Sequence, residues 1–181
     1  MTTKELIAVL DRLDNEFKMP FIRVKQLRIF FPNESNEVFR VSLARQVKSG
    51  VIEKICRGLY LNPRSRHIPE NLLENIACLI RDRREFYLSL ESILSSNGII
   101  SQIPNRLTFI SKSRSDTINT PYGIIEFSKG NVKDMIFSSD IYLDNNTGIY
   151  TATPERALKD AFLHRRSIDL IDEQRKKDEL Y

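Results

Sequence analysis

Arg45 and Gln46 are adjacent near the end of a helix that the sequence predicts over 36–49, with Ser42 one turn earlier. An arginine fork matches the O6/N7 edge of guanine, a glutamine amide matches N6/N7 of adenine, and a serine hydroxyl serves either. These three are therefore the candidates for reading base edges. Arg40 and Lys48 on the same helix, with Lys54 and Arg57 just past it, are placed to neutralise phosphate. Such contacts give affinity and salt dependence without sequence preference. At about 100° per residue, Phe39, Leu43 and Val47 stack as the buried stripe of this helix. Val41, Ser42, Arg45, Lys48 and Ser49 form the opposite arc, with Arg40 and Gln46 at its two edges.

A helix reads a major groove only if other elements hold it against the duplex. Leu6, Ile7, Val9, Leu10 and Leu13 recur at helical spacing and predict a first helix over 4–13 capped by Thr3. Pro20-Phe21-Ile22 reads as extended, and 24–31 as a short second helix that must stop before Pro32. Asn33-Glu34-Ser35-Asn36 supplies a turn and a cap for the third helix, which ends at Gly50. Val51 to Cys56 and Leu59 to Leu61 are β-prone runs around Arg57-Gly58, a tight hairpin with Arg57 at its tip. Three helices followed by a hairpin is the order of a winged helix-turn-helix, and its partner would be double-stranded DNA.

Other chemistry finds little support. The two histidines are His67, beside Arg64 and Arg66, and His164, near a helix end before Arg165-Arg166, so a Ser-His-Asp or Cys-His arrangement has few candidates. Neither a phosphate-cradling G-x-x-x-x-G-K-[ST] loop nor a G-x-G-x-x-G turn is present. Glu126 and Lys129 are three apart and point to opposite faces of a strand, so they do not form a nuclease-like pair. Asp134, Asp140 and Asp144 read as solvated loop carboxylates before metal ligands. The expectation is a protein that is not an enzyme, with no catalytic residues, no metal and no cofactor.

The 181 residues carry 28 Lys and Arg against 24 Asp and Glu, and 41% are hydrophobic, which is ordinary globular usage. Residues 1–66 hold 13 basic and 7 acidic residues, net +6, whereas the remainder holds 15 against 17, net −2. A basic first module facing a polyanion and a second module suited to a protein partner follow from that asymmetry. Asn62 to Pro69, with two prolines and a charged run, is the expected linker. The expected organisation is a DNA-binding domain over 1–62 and a mixed α/β regulatory domain over 70–181, an α+β protein as a whole.

In the second domain the sequence predicts helices over 70–81, begun by Pro69, over 88–96, and from Pro154 through Leu163 capped by Thr153. Strands are predicted over 107–111, 123–128, 140–143 and 148–151, and a solvated charged tail over 172–179. Leu72, Leu73, Ile76 and Leu79 are expected to be a buried helical face. Cys56 and Cys78 read as reduced, buried thiols of a cytoplasmic protein. The charged start lacks a signal-peptide core, and no run is long enough for a membrane span.

Three blocks resemble one family. Leu43 to Tyr60, ending Arg57-Gly58-Leu59-Tyr60, resembles the end of the winged helix in AbiEi-type antitoxins. Phe86 to Ile100 resembles that family's Tyr-x-Ser-x-x-Ser-Ala-Leu-x-x-His-Gly-Leu segment, with Ile93 and Asn97 where the family has Ala and His. Thr151 to Ala161 resembles its Pro-Glu-[Arg/Lys]-Ala-Leu-x-Asp helix. The resemblance implies the antitoxin of a type IV toxin–antitoxin pair in phage defence by abortive infection. Such a protein is a transcriptional autorepressor at inverted repeats in its own promoter, where a dimer fits. Its C-terminal domain counters a nucleotidyltransferase-like toxin, commonly without a stable complex. By matching position, Arg45 and Gln46 would read DNA and Arg57 would form the wing tip. Two alternatives stay open: a general winged-helix regulator whose C-terminal domain senses a ligand or protein, and an enzyme with a DNA-docking module.

Overall fold

The computed structural model describes residues 1–133 and 135–171. The expected charged tail and Asp134 lie outside the described residues. The chain is a mixed α+β protein that divides into two compact units, Met1–Glu70 and Asn71–Tyr181. No described helix is long and apolar enough to cross a membrane.

In the first unit α1 (Thr3–Phe17) is longer than its apolar stripe suggested and begins one residue earlier. Thr2, not Thr3, is the cap: its hydroxyl accepts from the Glu5 amide, while Glu5 accepts from the Thr2 amide at 2.7 Å. That reciprocal pair satisfies two otherwise orphaned donors. Leu6, Leu10 and Leu13 then face inward with one-turn spacing. β1 (Phe21–Arg23) leads directly into α2 (Val24–Ile29), and α3 (Asn36–Lys48) follows. β2 (Glu53–Cys56) and β3 (Leu59–Leu61) form the hairpin, and the antiparallel sheet runs β1-β3-β2. The core joins Leu6, Leu10 and Leu13 to Ile22, Leu27, Phe39, Leu43 and Ile52. Each fully buried leucine of such a core contributes about 1.5–3 kcal/mol.

The second unit is a six-stranded mixed sheet with helices on both faces. Its strands are β4 (Phe86–Leu88), β5 (Arg106–Ser111), β6 (Asp116–Thr120), β7 (Gly123–Lys129), β8 (Ile141–Asp144) and β9 (Ile149–Ala152), in the order β6-β7-β5-β4-β9-β8. α5 (Glu91–Ser96) and α6 (Pro154–His164) pack on one face through Tyr87, Leu94, Ile110, Ala157, Leu158 and Ala161. Beside α4 (Leu72–Ile80) is a buried aromatic cluster. Phe86 meets Phe109 and Phe127 edge-on at 5.1 and 5.4 Å, Phe109 and Phe127 stack at 5.3 Å, and Arg81 lies 3.9 Å over Phe127. Edge-on aromatic pairs add roughly 0.5–1.5 kcal/mol each beyond area burial.

Several expectations change here. Leu88 is the end of a strand, and the helix expected from that residue begins only at Glu91, after Leu90 turns the chain at φ +57°. α4 starts at Leu72 rather than at Pro69, and it buries Ile76 and Ala77 while Leu72, Leu73 and Leu79 stay half-buried. β6 has no counterpart in the sequence reading, because its residues are polar and largely exposed and carry no apolar alternation. Cys56 and Cys78 are free but half-buried rather than buried.

Candidate nucleic-acid interface

α3 owes its start to Ser35, whose hydroxyl accepts from the Val38 amide at 3.2 Å. The turn before it is tied by Arg28, whose guanidinium donates to the carbonyls of Phe31 and Glu34 and lies 5.1 Å over the Phe39 ring. One α2 side chain therefore fixes both the turn and the first buried residue of α3. After Lys48, Gly50 turns the chain at φ +73° into the hairpin.

Phe39, Ser42, Leu43 and Gln46 are buried, and Val47 is half-buried. The buried arc is thus rotated from the expected Phe39–Leu43–Val47 stripe by about half a residue step. Two candidate base readers are corrected as a result. Gln46 is 1% exposed and accepts a hydrogen bond from Thr3 Oγ1 at 3.1 Å, and Ser42 is 7% exposed. A glutamine can be tolerated inside because a partner on α1 meets its amide. Neither side chain is presented outward.

The outward arc holds Arg40, Val41, Ala44, Arg45 and Lys48, all exposed. Lys54 on β2 and Arg57 in the hairpin turn are exposed as well. The hairpin does not stand free: the Val24 amide donates to the Gly58 carbonyl at 2.9 Å, which pins the turn to the start of α2. Gly58 itself adopts φ +78°, the left-handed conformation the turn needs. Lys25, exposed and next to that junction, joins the basic set. Lys25 and Ala44 were missed by sequence reasoning. The contact that rotates the helix phase, Thr3 with Gln46, spans 43 positions and leaves no local mark in the sequence.

Among the described residues, Lys25, Arg40, Arg45, Lys48, Lys54 and Arg57 make no ion pair. Four of the seven acids in residues 1–66 are engaged elsewhere: Glu34 with the N-terminal amine, Asp11 with Arg64, Glu16 with Arg12 and Asp14 with His67. Against Glu37 and Glu53 on the same elements, these six cations leave α3 and the hairpin with an excess of positive charge.

The remaining candidates take structural roles. His67 Nδ1 lies 3.0 Å from Asp14 Oδ1, and Asp14 also accepts from the Ser65 hydroxyl and the Arg66 amide. Burial alone would raise the Asp14 carboxyl, but these hydrogen bonds outweigh it and hold the group below its ordinary value. Asp144 accepts from the Asn146 amide and the Thr147 hydroxyl within its own turn. Glu126 is held by Arg106 at 2.7 Å and by Arg166, not by Lys129. Among the described residues, no three His, Cys, Asp or Glu side chains are grouped to hold a metal ion.

In the second unit, the Tyr87 and Ser89 hydroxyls donate to Asp160 Oδ2 at 2.9 and 2.8 Å, and Arg156 donates to Asp160 Oδ1 and to the Tyr87 oxygen. Burial and the adjacent carboxylate push the Tyr87 phenol well above its usual value, so it remains a neutral donor. Compared with protein-family models and with curated proteins, the chain matches none.

Proposed function

We propose that the first unit is a winged helix-turn-helix that binds double-stranded DNA, with α3 entering the major groove. The observation that carries this reading is the row of exposed cations without acid partners on α3 and the hairpin. Arg45 is assigned to a guanine edge, while Val41 and Ala44, at the centre of the exposed arc, suit contact with a thymine methyl. Arg40, Lys48, Lys54, Arg57 and Lys25 contact phosphate.

For the whole chain the proposal is a cytoplasmic antitoxin and transcriptional autorepressor of a type IV toxin–antitoxin operon. The first unit binds inverted repeats in its own promoter, and the second counters a nucleotidyltransferase-like toxin. Supporting it, Tyr87 and Ser89 from one family-like block and Arg156 and Asp160 from the other form a single hydrogen-bonded group. The two blocks thus meet in one packed unit. A general winged-helix regulator shares the first half of this reading and differs only in what the second unit does.

The test is a salt series of binding to DNA from the protein's own upstream region. Arg45→Ala should cost about 1–3 kcal/mol on the specific site, and Lys54→Ala with Arg57→Ala should flatten the salt slope by about two. Wild-type binding with no preference over random DNA at about 150 mM salt would sink the recognition-helix assignment. Rescue of growth from a co-expressed neighbouring toxin separates antitoxin from general regulator.

A further inference from the structure

The first unit contains a cleft of about 310 Å³ between α3 and the β2–β3 hairpin. That size is at the lower end of small-molecule pockets. Phe39, Leu43 and Val47 supply apolar walls from α3, and Arg40, Lys54 and Tyr60 also line it. Lys54 and Tyr60 are direct cross-strand partners, so their side chains share the sheet face that lines the cleft. Among the described residues, neither cation has an acid partner and the Tyr60 hydroxyl has no hydrogen-bond partner.

We propose that this cleft binds a small apolar monocarboxylate. Its hydrocarbon part would lie against Phe39, Leu43 and Val47. Its carboxylate would be held by Arg40 and Lys54, with Tyr60 donating a further hydrogen bond. The lining offers both kinds of contact: a bare phosphate would engage the cations alone, and a neutral hydrocarbon the apolar side chains alone. An amphipathic anion of modest length satisfies both. Because Arg40 and Lys54 belong to the exposed basic face as well, an occupied cleft lowers the positive charge of that face.

The assignment does not depend on DNA binding and is tested without DNA. The full-length protein, with labelled Leu and Val methyl groups, is titrated with sodium octanoate, with 1-octanol and inorganic phosphate as separate controls. Saturable shifts of the Leu43 and Val47 methyls are expected with octanoate. Arg40→Met together with Lys54→Met, both at exposed positions, should weaken octanoate binding roughly tenfold or more while the methyl spectrum stays that of a folded protein. Shifts that fail to saturate, equal shifts with octanol, the same response to phosphate, or undiminished binding by the double variant would each overturn the proposal.

Discussion

The Tyr87 hydroxyl donates to Asp160 across 2.9 Å of buried space between β4 and α6, and Arg156 closes the triangle by donating to both. Asp160 is 3% exposed and accepts from three side chains. Removing the carboxylate strands three donors, one of them a partly buried cation, whereas removing the Tyr87 hydroxyl strands little. Asp160→Ala should therefore destabilise the second unit by about 3 kcal/mol, and Tyr87→Phe by about 1 kcal/mol. Urea unfolding followed by near-ultraviolet circular dichroism checks both, and equal effects of the two substitutions would refute the network's centre.

Gln46 separates the helix phase read from sequence from the phase found in the structure. Packed against Thr3, it should act on folding rather than on DNA. Gln46→Met should leave preference for the upstream DNA site unchanged, while Arg45→Ala, on the exposed arc, reduces it. Parallel titrations against specific and random duplexes measure this. Loss of specificity in a fully folded Gln46→Met protein would restore Gln46 as a base reader.

The hydrogen bonds on Asp14 give the first unit an acid-sensitive contact. Its carboxyl lies below the ordinary 3.8 when folded, so its stabilising contribution is fully present above that value and is lost as pH falls through the lowered one. Asp14→Asn should accordingly be less stable than wild type at pH 7, and the gap should close as pH is taken below about 4. Thermal melts across that range decide it, and a gap independent of pH would contradict the assignment.

Gly130 and Gly58 should fail for different reasons. A Cβ at Gly130 would come 2.5 Å from Ile110 Cγ2, inside the second core, whereas at Gly58 it would meet Val24 at an ordinary 3.7 Å. Gly58→Ala then bears only backbone strain at φ +78°, on the order of 1–2 kcal/mol. Gly130→Ala must displace a packed side chain, an overpacking cost of about 1–3 kcal/mol. The second cost should shrink in an Ile110→Ala background, because the clashing methyl is gone. A double-mutant cycle with zero coupling would show that the strand relaxes instead.

Much of the local structure was legible in the residues. Leu6, Leu10 and Leu13, the Asn33-Glu34-Ser35-Asn36 turn and cap, Gly50, the Arg57-Gly58 turn and Thr153-Pro154 mark their elements because caps, turns and apolar spacing act within a few residues of chain. The exposed cations Arg40, Arg45, Lys48, Lys54 and Arg57 were legible for the same reason: charge is carried by residue type, and ionised side chains stay in water unless paired. What the tertiary structure decided was which way α3 turned its face and that Phe86–Leu88 and Asp116–Thr120 became strands. Gln46 is inside because Thr3, 43 positions away in the chain, meets its amide. Phe86 to Leu88 is a strand because β5 and β9 flank it, although its local pattern suits a helix as well. Tyr87, Ser89, Arg156 and Asp160 read as separate polar residues until the sheet brings β4 against α6. Hydrogen bonds and packing between distant segments have no local signature, and they settled the face of α3 and the centre of the second unit.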